Sequence, residues 1–272
     1  MTTGLLRNLA LLLFATLFSM GGYAQGDLMI LPKRLVFDGS QRSQEISLAN
    51  TGTTTATYAI SMVNYRMTET GNFEEITEPD QAQRFAEDFL RFYPRRVTLG
   101  PREAQTVRVQ VTRTGNMEPG EYRSHIYFRA VEEQTALGSE EAVEDQENIS
   151  INIRAVFGIS IPAIIRHGQS TTKIGLSDMS LDKDGPTPVL NTTIQRTGNM
   201  SVYGDMLVTH IAPNGSKTEV GKVKGISVYS PNQRRIFSME LEGEGVDWSQ
   251  GRLLVTYEDE ASRLSAKEEL SL

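Results

Sequence analysis

Alternation of apolar and polar side chains dominates the sequence and predicts a chain built from short β-strands. Apolar residues recur at every second position over 46–48, 58–62, 107–111, 126–128, 206–208, 237–241 and 253–257. Turn-forming Gly, Asn and Pro residues separate these runs, as in Pro119-Gly120 and Pro213-Asn214-Gly215. Many short strands punctuated in this way are typical of β-sandwich domains.

One segment departs from this alternation. Residues 80–91 read DQAQRFAEDFLR, and Phe85, Phe89 and Phe92 follow one another at helical spacing. This spacing predicts a short amphipathic helix, which would cover one end of the first sandwich.

Length and local composition predict two domains. The chain has 272 residues, and a polar stretch at 168–172 follows a long apolar run. We therefore expect a first domain over 25–168 and a second over 169–272, each of ordinary size for a sandwich.

Residues 1–24 have the pattern of a secretory signal peptide. Arg7 precedes an apolar run over 9–18, and Gly22 and Ala24 provide small residues before a cleavage point. The run is shorter than the roughly 20 residues that a membrane span needs. The sequence thus predicts an exported mature chain with no membrane span.

Composition argues against several classes of function. There are 27 basic and 34 acidic residues, which disfavours nucleic acid as a partner. The absence of Cys excludes disulfides and thiolate chemistry. The three His residues lie far apart, at 125, 167 and 210, and no nucleophile–base set can be assembled from the sequence. We expect no catalytic residues, no metal and no cofactor.

The segment over 131–148 is strongly acidic. It holds seven Asp or Glu residues and no Lys or Arg. Such a block of like charge predicts a solvated loop. A calcium site is the alternative, but the segment lacks the spacing of a calcium-binding loop.

A long apolar stripe follows this loop, over 149–166. Its apolar side chains share one parity, so that they would lie on one face of a strand: Ile149, Ile151, Ile153, Ala155, Phe157, Ile159, Ile161, Ala163 and Ile165. At about 3.3 Å per residue the strand would be about 56 Å long, which is more than one sandwich can cover. Pro162 cannot donate to a ladder and predicts a sheet edge or a bulge. An exposed apolar edge suits β-augmentation of another chain. The alternative is two strands, split near Gly158 and each buried in its own sheet.

Several stretches together resemble the periplasmic pilus-assembly chaperones of chaperone–usher systems. They are KRLVFDGS at 33–40, PRRVTLGP at 94–101 with QTVRV at 105–109, SHIYF at 124–128, and the long stripe itself. Their order and spacing are similar to those of the family over about residues 28–167.

This resemblance implies two immunoglobulin-like β-sandwich domains with a cleft between them. It also implies that the long strand is lent to an exported, pilin-like β-sandwich subunit that lacks a strand. Ile149, Ile151, Ile153, Ala155 and Phe157 would then enter the groove of the subunit, while 159–165 would remain in the core of the first domain. The resemblance leaves open whether an outer-membrane usher also takes part.

Two positions near the implied cleft concern how a partner would be held, and a third concerns the contact between the domains. Arg34 matches the family Arg that binds the terminal carboxylate of the subunit, and we expect it to be exposed. Pro162 stands where the family has a Lys, and Arg123 stands where it usually has a Glu of an interdomain ion pair. His125 alternates with Ile126, so it is also expected at the surface. The alternative function is a non-catalytic structural or interaction module of the cell envelope with the same fold.

The signal-peptide hypothesis gives a direct prediction. Protein exported by its native host should begin at Gln25, because the small residues before this position suit the processing enzyme. Intact-mass measurement checks this, and a mass that includes residues 1–24 would contradict it.

Overall fold

The computed structural model describes residues 28–131 and 157–272. In this part of the chain, regular structure consists of β-strands and two 3₁₀ helices of three residues each. The strands form two sandwiches, so the predicted fold class, all-β with two immunoglobulin-like domains, is confirmed. The predictions for 1–24 and 132–148 lie outside the described residues.

The strands up to residue 167 build the first sandwich and one separate hairpin. They are β1 (Leu28–Leu31), β2 (Leu35–Phe37), β3 (Ser43–Asn50), β4 (Ala56–Val63), β5 (Tyr65–Met67), β6 (Phe73–Glu75), β7 (Leu90–Tyr93), β8 (Arg96–Leu99), β9 (Ala104–Val111), β10 (Gly120–Val131) and β11 (Gly158–His167). The 3₁₀ helices span Glu87–Phe89 and Thr114–Asn116.

The remaining strands build the second sandwich. They are β12 (Lys173–Asp182), β13 (Val189–Thr197), β14 (Val202–Ile211), β15 (Lys217–Val228), β16 (Arg234–Glu240), β17 (Arg252–Asp259) and β18 (Leu264–Ser271). The predicted domain boundary at 168 falls between β11 and β12 and stays a prediction.

The first sandwich packs the sheet β1-β3-β9-β7 against the sheet β2-β11-β10-β4-β8. Alternating residues of both sheets point inward, as the period of two requires. Ile46, Val107, Ile126 and Ile161 are buried in the resulting core, which is continuous across the two sheets. The predicted apolar runs are therefore the inner faces of β3, β9, β10 and β11.

The second sandwich packs the sheet β12-β13-β16 against the sheet β15-β14-β17-β18. Met206, Val208, Val255 and Tyr257 meet in its core. The hydroxyl of Tyr257 donates a hydrogen bond to the Ile226 carbonyl at 2.7 Å, which satisfies the one polar atom of this buried ring.

The predicted helix over 80–91 is wrong. Only Glu87–Phe89 are helical, and β7 follows at once, pairing Leu90 with Val111 and Phe92 with Val109. Phe89 and Phe92 do pack against the core. The edge of the sheet offers β7 a partner, and this pairing outweighs the weak helical preference of so short a segment.

Candidate functional site

Strand β11 has an open edge. It pairs with β10 along its whole described length, from Arg129–Gly158 to Gly120–His167. On its other side β2 reaches only the three residues Ala163, Ile164 and Ile165. Among the described residues, no strand lies beside 158–162 on that side, so this stretch is a sheet edge, as Pro162 predicts.

The direction of the hydrogen bonds follows from one contact. The Ala130 N–H donates to the Phe157 carbonyl at 3.1 Å, so these residues form a hydrogen-bonded pair. By alternation, Ile159 and Ile161 also bond to β10. The open edge therefore receives the backbone nitrogen atoms of Gly158, Ser160 and Pro162. Pro162 has no N–H, so it adds no unmatched donor there, whereas Gly158 and Ser160 each present one.

The apolar stripe leaves the core along the same strand. Ile161 is 3% exposed, Ile159 is 39% exposed and Phe157 is 52% exposed. The expectation that Ile159 stays in the core is thus wrong, because Ile159 already lies at the rim of the sandwich. The predicted site residues Ile149, Ile151, Ile153 and Ala155 lie outside the described residues.

Gly158 serves the packing of the outer face. A Cβ atom at this position would lie within 2.4 Å of the ring of Tyr127, which is therefore packed directly over the glycine. Gly158 pairs in register with Arg129, so the glycine lies within the ladder. The alternative of two separate strands remains open, because the residues before Phe157 are not described.

Arg34 lies just before β2 and faces the second domain. Its guanidinium stacks on Tyr203, with the Cζ atom 4.3 Å from the ring centroid, and lies 5.9 Å from the centroid of Tyr229. Its Nε and Nη2 atoms are buried and have no hydrogen-bond acceptor among the described residues. The side chain is half-buried, and the expectation of an exposed Arg34 is wrong because the two tyrosines shield it.

Arg123 lies on β10, on the same outer face of the sheet. It is only 4% exposed and its Cζ atom lies 4.0 Å from the centroid of Tyr229. Nη2 donates to the Tyr65 carbonyl at 3.3 Å, whereas Nη1 is buried without an acceptor in the described part of the chain. Burial lowers the pKa of Arg123, and the charge of Arg34 lowers it further. The two guanidinium groups thus share one electropositive region.

His125 is buried, contrary to the expectation from alternation. The outer face of a sheet is normally solvated, but Tyr65 and Phe73 cover it here, with ring centroids 4.9 and 5.8 Å from the imidazole. Burial, and then the charge of Arg123, lower the pKa of His125 from its ordinary 6.5 to about 3. The imidazole is therefore neutral near neutral pH.

Glu121 connects the two sandwiches. Its carboxylate accepts hydrogen bonds from the Ser201 backbone N–H at 2.9 Å, from the Ser201 hydroxyl and from Arg166 Nε at 3.3 Å. Arg166 Nη2 also donates to the Ser201 carbonyl at 2.7 Å. The carboxylate is nearly inaccessible, at 1% side-chain exposure. Glu121 thus provides the interdomain carboxylate that the resemblance would place at position 123.

Sequence reasoning missed Glu121 and the two tyrosines. Glu121 shares the parity of Arg123 on β10, so alternation predicts the outer face of the sheet for both. Only the contact with Ser201 identifies Glu121 as an interdomain residue. Tyr203 and Tyr229 belong to the second domain, where the sequence offered no motif.

Two further observations concern other kinds of site. Within residues 28–131 and 157–272, no three His, Asp or Glu side chains converge as metal ligands would. The same residues contain no helix with the length and apolar character that a membrane crossing requires.

Comparison with known proteins finds one family model. A model described as an Fn3-like domain matches residues 37–137, which is less than half of the chain. No curated protein matches the chain.

Solved structures of pilus chaperones are similar to this chain. A chaperone–tip adhesin complex of CFA/I fimbriae biogenesis is 13% identical, with a TM-score of 0.44 over 90% of this chain and 98% of that one. The YadV chaperone is 11% identical, with a TM-score of 0.45 over 91% and 100%. The CsuC–CsuE chaperone–tip adhesion subunit complex from Acinetobacter baumannii is 12% identical, with a TM-score of 0.44 over 90% and 98%.

The buried imidazole gives a prediction about pH. In the folded protein the pKa of His125 is about 3, and in the unfolded chain it is near 6.5. As the pH falls below 6.5, only the unfolded chain takes up this proton, so the free energy of unfolding falls by up to about 1.4 kcal/mol per pH unit. His125→Phe should remove this contribution while keeping the ring contacts.

Urea titrations of both proteins at about pH 7 and about pH 5 check this, with wild type losing about 2 kcal/mol more than the variant. Equal losses in the two proteins would contradict it.

The interdomain carboxylate gives a second prediction. Glu121→Ala leaves the buried Ser201 and Arg166 donors unmatched and should lower the free energy of unfolding by about 3–5 kcal/mol. Glu118 is the matched control, because it pairs with Arg84 at 2.7 Å but is 75% exposed. Glu118→Ala should cost less than about 1 kcal/mol. Denaturant titration decides, and similar small losses for both variants would contradict a structural role of Glu121.

Proposed function

We propose that this protein is a periplasmic chaperone-like protein, which binds and caps an exported β-sandwich subunit by pairing it with the open edge of β11. The observation that carries this proposal is the coincidence of that edge with the emerging apolar stripe. Phe157 and Ile159 are exposed at the stretch where β11 lacks a second neighbour. A partner strand would gain backbone hydrogen bonds at the edge and burial of the stripe in its own core.

The continuation of the stripe over 149–155 extends the proposal. Ile149, Ile151, Ile153 and Ala155 share the parity of Phe157, so a continuous strand would present all of them on one face. They would fill alternate positions in the groove of a sandwich that lacks one strand.

Arg34 and Arg123 complete the proposed site. Three of their nitrogen atoms are buried without an acceptor in the described part of the chain, which favours an anionic group, and a guanidinium pair suits a carboxylate. The end of a partner chain would provide such a group. Arg123 would then supply the second positive charge that Pro162 cannot.

A matched pair of substitutions tests the strand proposal. Ile159→Thr and Ile161→Thr change neighbouring positions of one parity, of which the first is 39% exposed and the second 3%. Ile161→Thr should lower the free energy of unfolding by about 1–3 kcal/mol, through lost packing and a buried hydroxyl. Ile159→Thr should change it by less than about 0.5 kcal/mol and yet weaken partner binding.

Denaturant titration measures the first effect. Native mass spectrometry of the protein purified from the periplasm of its host measures the second, as the fraction that carries a stoichiometric subunit. Equal destabilisation at both positions would contradict strand donation. Absence of any subunit, or a stable self-dimer, would favour a structural module of the envelope.

A further inference from the structure

The hairpin formed by β5 and β6 belongs to neither sandwich. Among the strands that the structure describes, its two strands pair with each other alone, Tyr65 with Glu75 and Met67 with Phe73. The Thr68 N–H donates to the Asn72 carbonyl at 2.8 Å, and Gly71 closes the turn with a φ of +88°. Because a two-stranded hairpin is only marginally stable by itself, contacts with its surroundings must hold it in place.

Polar contacts join the hairpin to the second domain. The Ile236 N–H on β16 donates to the Glu69 carbonyl at 2.7 Å. The Glu69 carboxylate pairs with Arg234 at 2.8 Å, and Asn232 Nδ2 donates to the Met67 carbonyl at 2.7 Å. β16 is the last strand of its sheet, so the hairpin turn occupies part of an otherwise free edge.

The turn approaches the second domain closely. A Cβ atom at Gly71 would lie 2.4 Å from Arg235 Nη2, so the absence of a side chain allows the guanidinium to pack against the turn. This explains a glycine here beyond the requirement of its positive φ.

Apolar contacts place the hairpin over the electropositive region. Met67 is 4% exposed and packs with Ile164 and Tyr229. The ring of Phe73 lies 6.0 Å from that of Tyr229 and 5.8 Å from the imidazole of His125. The hairpin and Tyr229 together therefore cover Arg123 and His125.

The closed hairpin leaves some buried polar groups without hydrogen-bond partners among the described residues. Arg123 Nη1 and His125 Nδ1 are buried without partners among the described residues, which disfavours closure. The ion pair that holds the turn is exposed, at 55% and 49% for Arg234 and Glu69, and such pairs are weak. Opening breaks two hydrogen bonds and this weak ion pair with the second domain and uncovers Met67, but it relieves the buried polar groups.

We propose that the β5–β6 hairpin is a releasable strap, which ties the first domain to the edge of β16 and covers Arg123 until it opens. That Arg123 then meets the carboxylate of a partner rests on the proposed function. The strap itself does not, since its contacts lie within one chain.

Arginine-specific labelling of the free protein tests the strap. Phenylglyoxal is applied to the full chain, and modification at each arginine is quantified by mass spectrometry. Arg129 is the exposed reference on the same strand, and Arg196, 3% exposed in the second domain, reports unfolding. The test variant is Glu69→Arg with Asn232→Ala, which removes the ion pair and one hydrogen bond. Glu75→Arg is the control on the same hairpin.

In wild type and in Glu75→Arg, modification of Arg123 should be slow relative to Arg129. In the double variant the modification rate of Arg123 should rise about tenfold, while Arg196 stays protected. The single variant Asn232→Ala should give a rate between those of wild type and the double variant. An unchanged rate at Arg123 in the double variant would overturn the proposal. So would labelling of Arg123 at the rate of Arg129 in wild type, or a parallel rise at Arg196. Because no partner is present, none of these results depends on the proposed function.

Discussion

The one-sided pairing of β11 is the constraint on which the proposed function depends. The strand is tied to β10 along its described length, while β2 supports only the end near the second domain. The inward-facing side chains of β11 therefore lie in two different environments. Ile161 is part of the core, whereas Ile159 and Phe157 are exposed. A protein that left such an edge without use would risk uncontrolled association, and the missing N–H of Pro162 removes only one donor from it.

The junction of the two domains combines a satisfied and an unsatisfied set of charges. Glu121 is buried with three hydrogen bonds, so it favours one arrangement of the domains. Arg34 and Arg123 lie on the same side of the first sandwich, partly covered by tyrosines, and keep buried donors that find no acceptor within 28–131 and 157–272. Stacking on an aromatic face offsets part of the cost of burying a guanidinium, but it does not replace a hydrogen bond. Two neighbouring residues of β10 thus differ: Glu121 fixes the contact between the domains, and Arg123 keeps the donor that the proposed function assigns to an anion.

Much of the fold could be predicted from the sequence, because period-two alternation reports directly which side chains meet in a core. Val107, Val109 and Ile126 are buried as that pattern requires. Alternation does not predict burial correctly where residues distant in the chain cover the outer face of a sheet. His125 is buried only because the β5–β6 hairpin covers it, and the shielding of Arg34 comes from Tyr203 and Tyr229, far along the sequence. Alternation also cannot show where a core ends, so it does not reveal that Ile159 lies at the rim of the sandwich and not in its core. The helix predicted over 80–91 does not form because the pairing of β7 with the sheet outweighs the helical spacing of its apolar residues.

Amide hydrogen exchange at Ser160, in the free protein and in its complex with a subunit, tests the use of the open edge most directly. The Ser160 N–H points away from β10, whereas the Ile161 N–H points towards it. The Ser160 amide should exchange quickly in the free protein and become protected in the complex, while the Ile161 amide is protected in both. A Ser160 amide that exchanges equally fast in the complex would contradict pairing of a partner strand with β11.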